Sequence, residues 1–137
     1  MTKKIFKSNI LVAVVVLIFG IACVMAILYQ HFGKQINTEL KKEATYLVYG
    51  VEENGIDYLK QIKEKDDRIT YIAEDGTVLY DSRRDADILK NHGNRKEVRE
   101  ALSKGEGADV RKSETVGKDM YYYALLLNDG TVLRVSK

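Results

Sequence analysis

Residues 69–80 read ITYIAEDGTVLY and residues 120–135 read MYYYALLLNDGTVLRV, and these two stretches decide the fold. Each places strand-forming residues on both sides of an Asp-Gly pair, which is typical of a tight β-hairpin turn. Alternation along a strand puts Tyr122 on the opposite face from Tyr121 and Tyr123. The sequence therefore predicts two antiparallel hairpins, with one side of the tyrosine run in the core.

The segment between the hairpins predicts a helical crossover. Asn94 followed three residues later by Glu97 resembles a capping box, and Gly105 stands where a left-handed residue ends a short helix. Residues 85–90 before it predict a turn or a single helical turn. Residues 108–116 show the polar alternation of an outer strand, so five strands are expected, two before the crossover and three after it.

An amphipathic helix is expected ahead of the sheet. Residues 36–51 repeat apolar side chains at intervals of three and four, and Asn54-Gly55 supplies a helix end that tolerates the left-handed conformation. The stripe also fits two heptads, so a parallel dimer is the alternative to packing on the domain's own sheet. We expect packing on the sheet, because two heptads fall short of a sustained coiled coil. The stripe consists of Ile36, Leu40, Ala44, Leu47 and Val51.

The N-terminal segment predicts a membrane-spanning helix. Residues 10–29, ILVAVVVLIFGIACVMAILY, carry no charge, and at about 1.5 Å per helical residue they span roughly the 30 Å hydrocarbon core of a bilayer. Lys3, Lys4 and Lys7 precede this segment. The sequence therefore favours residues 1–9 in the cytoplasm and residues 30–137 outside the cell.

Two other uses of the N-terminal segment are disfavoured. A cleaved signal peptide needs a shorter apolar core and a small-x-small cleavage site, whereas this run ends in Ile27-Leu28-Tyr29. A lipoprotein anchor at Cys23 conflicts with the six apolar residues that follow it. We interpret Cys23 as a small apolar residue of a membrane helix, so no disulfide is expected in the exported part.

Composition excludes several classes of function. A length of 137 residues allows one ordinary domain and excludes a multidomain enzyme. The 22 basic and 20 acidic residues nearly balance, which argues against nucleic-acid binding. Two histidines and one cysteine cannot build a familiar zinc site, and no phosphate-binding loop motif is present. We expect no catalytic residues, no metal and no cofactor in this chain.

Several spaced motifs resemble the extracellular PAS-like, Cache-related sensor domain of phosphate-response-type sensor histidine kinases of Gram-positive bacteria. The resemblance covers about residues 68–137. It implies a membrane-bound homodimer whose outer domain lies between two membrane helices and acts through a HAMP linker on a cytoplasmic kinase. The motifs are DGTVLYDS (75–82), NHGNRKEVREAL (91–102), Gly105 and Gly107, RKSETVGKDMYYYA (111–124) and DGTVLRVS (129–136).

The fold class expected from these observations is α+β. A transmembrane helix over residues 10–29 runs into juxtamembrane and packing helices over residues 30–67. These helices pack on a PAS-like, five-stranded antiparallel sheet over residues 68–137.

The chain departs from the kinase family in two respects. No second apolar stretch of membrane length follows, and the chain has no proline, whereas the family's phosphoacceptor histidine lies in a helix motif followed by one. Neither His31 nor His92 matches that motif. We therefore expect the sensor part of a receptor whose kinase part is absent from this chain.

Two alternative functions are considered beside the kinase sensor. The same ectodomain would suit a chemoreceptor or a cyclase. A pilin-like, membrane-anchored structural subunit is disfavoured, because the apolar segment lacks the Glu and the Pro expected of a pilin.

The resemblance also implies a pocket for a small ligand on the sheet face that the crossover covers. Each candidate has a structural alternative, such as capping a turn or lying on a solvated helix face. The expected partners are membrane lipid, a second copy through the membrane and juxtamembrane helices, and a small extracellular ligand or accessory protein. The residues expected to face the pocket are Asp81, Ser82, Asn91, His92, Arg95, Arg111 and Ser113.

Overall fold

The computed structural model describes residues 2–62, 66–112 and 117–137. The chain divides into two compact units, Met1–Gln35 and Ile36–Lys137. Helix α1 is assigned over Thr2–Asn54, so the first unit consists of helix. Its apolar side chains are exposed, and among the described residues α1 is the one helix long and apolar enough to cross a membrane, with a mean hydropathy of 3.3 in its most apolar window.

The second unit is an antiparallel sheet with helices on both faces. The strand order is β2-β1-β5-β4-β3, and every pair of neighbours is antiparallel. The α+β class and the five strands are confirmed. After α1 come α2 (Asp57–Gln61), β1 (Arg68–Ile72), β2 (Val78–Asp81), a 3₁₀ turn (Ala86–Ile88), α3 (Lys96–Lys104), β3 (Glu106–Lys112), β4 (Asp119–Leu126) and β5 (Val132–Ser136).

The apolar stripe of α1 packs on one face of the sheet. Leu40 and Ala44 are fully buried, and they belong to the same cluster as Ile69 and Leu133. Tyr123 also lies in this cluster, with Tyr121 packed against it. The prediction that the helix covers its own sheet is therefore confirmed, as is the alternation of the tyrosines.

Helix α3 covers part of the opposite face. Val98 and Ala101 form a second buried cluster with residues of β1, β4 and β5. Because helices cover both faces, all five residues of β5 are buried. Gly105 ends α3 with a φ of +92°, as its position predicts, whereas the expected capping box is wrong.

The capping box fails because Glu97 has a different set of partners. The N-cap position is held by Arg95, which makes no side-chain capping bond. Glu97 is 0% exposed and pairs with arginines on the sheet, so the start of α3 is not a uniformly solvated helix face. Hydrogen bonds from two charged guanidinium groups stabilise a buried carboxylate more strongly than a single bond from a backbone N–H does.

The two hairpin turns share the same local geometry. Gly76 and Gly130 both have a φ of +86°, in the left-handed region that glycine enters without strain. In each turn the preceding aspartate accepts a bond from the threonine N–H that follows the glycine, at 2.9 Å in the first turn and 3.0 Å in the second. They differ in surroundings, because a β-carbon at Gly76 would lie 2.4 Å from the backbone nitrogen of Gly93, whereas one at Gly130 would meet nothing nearer than 3.5 Å.

Candidate functional site

A cleft of about 190 Å³ opens on the sheet face that carries α3. Strands β1, β5, β4 and β3 contribute its floor, and the segment between β2 and α3 contributes its rim. Five arginines make the cleft strongly basic, and one histidine also lines it. Its lining residues are Arg68, Arg84, Leu89, His92, Arg95, Arg111, Tyr122 and Arg134.

Strand register brings the floor residues together. Arg134 on β5 lies opposite Thr70 of β1 and Ala124 of β4. Because alternate residues share a face, Arg134 points to the α3 side while Leu133 and Val135 enter the core under α1. The same alternation places Tyr122 in the cleft, where its ring stacks on the guanidinium of Arg111 with 3.8 Å from Cζ to the ring centroid.

A buried carboxylate holds two of the arginines in place. Glu97 accepts two parallel bonds of 2.9 Å from Arg111 and one of 3.2 Å from Arg134. Burial alone would raise the pKa of Glu97, but the hydrogen bonds from Arg111 and the positive charges of both arginines hold it below its ordinary value. Glu97 is therefore ionised, and it fixes α3 against β3 and β5.

A second buried carboxylate orders the other side of the cleft. Asp81 is a bond acceptor for Arg68 Nε at 2.9 Å and for the hydroxyl of Thr70 at 2.9 Å. It also accepts the backbone N–H groups of Arg83 and Arg84, each at 3.0 Å. Asp81 therefore fixes the path of the chain as it leaves β2.

Two polar atoms of residues that line the cleft have no hydrogen-bond partner among the described residues. They are Arg134 Nε and His92 Nδ1, and both are buried. The other two nitrogens of Arg134 bond Glu97 and Thr70. Buried polar atoms without partners are uncommon in folded proteins, which makes this position a candidate for a ligand.

His92 is held in the cleft as a neutral imidazole. Its backbone N–H bonds the carbonyl of Gly76 at 2.8 Å, which ties the rim to the first hairpin turn. Burial, reinforced by the charges of Arg134, Arg95 and Arg68, lowers the pKa of His92 to about 4. At neutral pH the ring therefore offers one donor and one acceptor and no charge.

The structure brings together three of the seven residues predicted to face a pocket. His92, Arg95 and Arg111 line the cleft. Asp81 is buried among its donors, and the hydroxyl of Ser82 accepts the backbone N–H of Ile69 at 3.0 Å, which extends the strand pairing.

Two predicted residues remain. Asn91 donates to the carbonyl of Asp75 and accepts from the N–H of Gly93, both at 2.8 Å, so it clamps the rim to the hairpin. Ser113 lies outside the described residues.

Sequence reasoning missed five lining residues, which are Arg68, Arg84, Leu89, Tyr122 and Arg134. One of them left a signal in the sequence, because Arg134 stands within the apolar strand VLRVS. A charged residue at an inward position of a strand needs a buried partner, and that need points to a polar site.

The described part of the chain holds no group of three or more His, Cys, Asp or Glu side chains arranged to bind a metal ion. The chemistry that the cleft supports is thus recognition through guanidinium groups and one neutral imidazole.

Solved structures with a similar fold share little sequence with the chain. The YkuI protein of Bacillus subtilis, which has an EAL domain, superposes with a TM-score of 0.54 at 17% identity over 75% of this chain and 31% of its own. The extracellular domain rpHK1S-Z16, assigned to a histidine kinase, gives 0.44 at 17% identity, over 62% of this chain and 36% of its own. A Cache chemosensory domain studied for carboxylic acid recognition gives 0.48 at 15% identity, over 80% of this chain and 95% of its own.

The chain thus spans about a third of the first of these structures. No curated protein sequence matches the chain significantly. The family model described as "Single Cache-like" matches residues 30–133, which include the whole sheet up to β5 and every residue of the cleft floor except Arg134. The chain therefore belongs to the Single Cache-like family of sensory domains.

Proposed function

We propose that this chain is the extracellular sensing part, with one membrane helix, of a membrane receptor of the sensor histidine kinase class. The kinase of this receptor lies outside this chain. Residues 10–29 span the membrane, residues 1–9 lie in the cytoplasm, and residues 30–137 lie outside. The three N-terminal lysines support this orientation. The exposed, uncharged helix surface over the span supports contact with lipid.

The observation that carries the proposal is the basic cleft in a Cache domain. A sensor must hold a molecule by directed contacts, and here five arginines and His92 line one cleft, while Arg134 and His92 each carry a buried nitrogen without a partner among the described residues. Side chains from four strands and from the rim meet at this cavity. A ligand bound there would contact the strands of the sheet and the rim at once, beside the side-chain links made by Glu97 and Asp81.

We propose further that the receptor is a homodimer through its N-terminal helix. Tyr46 and Tyr49 lie on the side of α1 that faces away from the sheet, and they are 75% and 67% exposed. Two aromatic side chains on an open helix face supply apolar area for a second copy. Paired helices that shift between two arrangements would carry a change in the sheet to the membrane segment.

A chimeric receptor tests the proposed function. Residues 1–136 replace the first membrane helix and sensor of a sensor histidine kinase whose output is measurable, and that kinase contributes its own second membrane helix. Ligand candidates are added outside intact cells, and autophosphorylation is recorded. We expect output to change with a ligand of the cleft.

Insertions of one and two residues after Gly33 probe how the signal travels. Each residue rotates the outer helix by about 100°, so output should vary with helical phase. An output that ignores both external ligand and insertions would contradict the receptor role.

A further inference from the structure

We infer, on the basis of the sensor role proposed above, that the cleft binds a small dianion, either a short dicarboxylate or an inorganic oxyanion. The inference rests on the charge left uncompensated in the cleft, on two unpartnered nitrogens of its lining residues and on its volume.

Charge is the first argument. Five guanidinium groups line the cleft. Three carboxylates pair with them: Asp81 with Arg68 at 2.9 Å, Glu97 with Arg111 and Arg134, and Asp109 with Arg111 at 3.1 Å. Five positive charges less three negative ones leave two. Lys96, at 3.9 Å from Asp109, lies outside the cleft lining and is left out of this count.

The uncompensated charge is located on two particular residues. Within the described part of the chain, the guanidinium groups of Arg84 and Arg95 have no hydrogen-bonded carboxylate. Both residues are exposed on the rim, where a ligand would enter. The planar fork of arginine matches the two oxygens of a carboxylate or an oxyanion. A ligand bound between them would thus meet two free forks.

The base of the cleft supplies directed bonds in addition to charge. Arg134 lines the cleft and is 3% exposed, and its buried Nε donor has no partner among the described residues. His92 Nδ1, in a neutral ring that also lines the cleft, likewise has no partner among the described residues. A ligand that places one acidic oxygen at Arg134 and another acceptor at the rim is a compact molecule with acceptors at both ends.

Volume limits the size of the ligand. A cleft of about 190 Å³ is smaller than the roughly 300–1,000 Å³ that is typical of sites for drug-sized ligands. This excludes nucleotides and peptides as fully enclosed ligands. It suits malonate, succinate, sulfate or phosphate. A monoanion such as acetate would leave one of the two free charges unpaired, and a neutral isostere would leave both.

Isothermal titration calorimetry on the full chain in non-ionic detergent tests the inference. The probes are malonate, succinate, phosphate and sulfate, with acetate as the monoanion and malonamide as the neutral isostere of malonate. We expect at least one dianion to bind, acetate to bind at least about tenfold more weakly, and malonamide not to bind. Charge-assisted bonds of about 1.5 kcal/mol or more predict differences of this size.

Variants locate the site. Arg84→Gln and Arg95→Gln should each weaken dianion binding by about tenfold, and both side chains are exposed and without partners in the described residues, so the fold should be retained. Arg99→Gln is the matched control, because Arg99 is an exposed arginine of α3 outside the cleft lining. It should bind like the wild type.

Each outcome decides the inference. Tighter binding of malonate or succinate assigns a two-carboxylate ligand, and tighter binding of phosphate or sulfate assigns an oxyanion. Absence of dianion binding, equal binding of malonamide, or binding unchanged in both Arg84→Gln and Arg95→Gln would overturn it. A chimera that responds to another compound while no dianion binds would leave the receptor role intact. Dianion binding without any response of the chimera would support the dianion site and contradict the receptor role.

Discussion

Replacing Glu97 with Gln tests the internal ion pairs on which the cleft depends. Glu97 is fully buried, and its two oxygens accept bonds from Arg111 at 2.9 Å and from Arg134 at 3.2 Å. The amide of Gln keeps one acceptor oxygen but removes the negative charge. Its NH₂ group would then face a guanidinium, which is a donor only.

The expected loss of stability follows from how deeply each arginine lies. Breaking a buried pair by removing one partner costs about 3–5 kcal/mol. The Arg111 side chain is 28% exposed and keeps Asp109 at 3.1 Å, so it contributes little to this cost. The side chain of Arg134 is only 4% exposed, and it loses Glu97, the one carboxylate with which it pairs among the described residues. We therefore expect a loss near the lower limit, about 3 kcal/mol.

Urea unfolding of the full chain in non-ionic detergent measures this loss, with tyrosine near-ultraviolet circular dichroism as the signal. Glu53→Gln, at an exposed position of α1, is the control and should change stability by less than about 0.5 kcal/mol. A dianion in the cleft should restore part of the stability of Glu97→Gln, because binding to the folded state alone stabilises it. A loss below about 1 kcal/mol would refute the reasoning.

Three further predictions follow from other parts of the second unit. Gly76→Ala should cost about 2 kcal/mol or more in urea unfolding and Gly130→Ala about 1, because both strain the backbone but only the first meets a neighbouring nitrogen at 2.4 Å. Burial, helped by the Glu43 carboxyl, raises the pKa of Asp67 to about 6, so the folded state holds a proton that the unfolded state releases near 3.8. The free energy of unfolding should therefore fall as the pH rises from 4 to 6, and Asp67→Asn should flatten this pH profile in urea unfolding. In a cysteine-free background, Tyr46→Cys should give disulfide-linked dimers in oxidised membranes, and their absence would contradict the proposed homodimer.

The sheet could be predicted from sequence because its signals are local. A period of two, an Asp-Gly pair in each hairpin and the C-terminal glycine of α3 each specify geometry within a few residues, and β1, β2, β4 and β5 lie where these signals place them. The packing of α1 was predictable for the same reason, since the apolar stripe lies on one helix face.

The cleft could be predicted only in part because its charges come together through strand register. Arg68 and Arg134 lie on neighbouring strands but far apart in the sequence, and a polar residue in a strand pattern reads as solvent-facing until both faces of the sheet are known to be covered. Glu97 was misread for a similar reason. Its position near a helix start suits a cap, and only the folded sheet places Arg111 and Arg134 against it.

Nuclear magnetic resonance of the histidine-labelled chain tests the central claim most directly, because the chain has two histidines and one of them lies in the cleft. Malonate and phosphate are titrated in turn, and the ring resonances are followed as a function of pH. With the dianion that binds, the His92 resonances should move and the pKa of His92 should rise from about 4, since a negative charge nearby favours the imidazolium. His31, outside the cleft, should not respond. Unchanged His92 resonances with both anions, or equal changes at His31 and His92, would contradict the assignment of this cleft as the ligand site of the sensor.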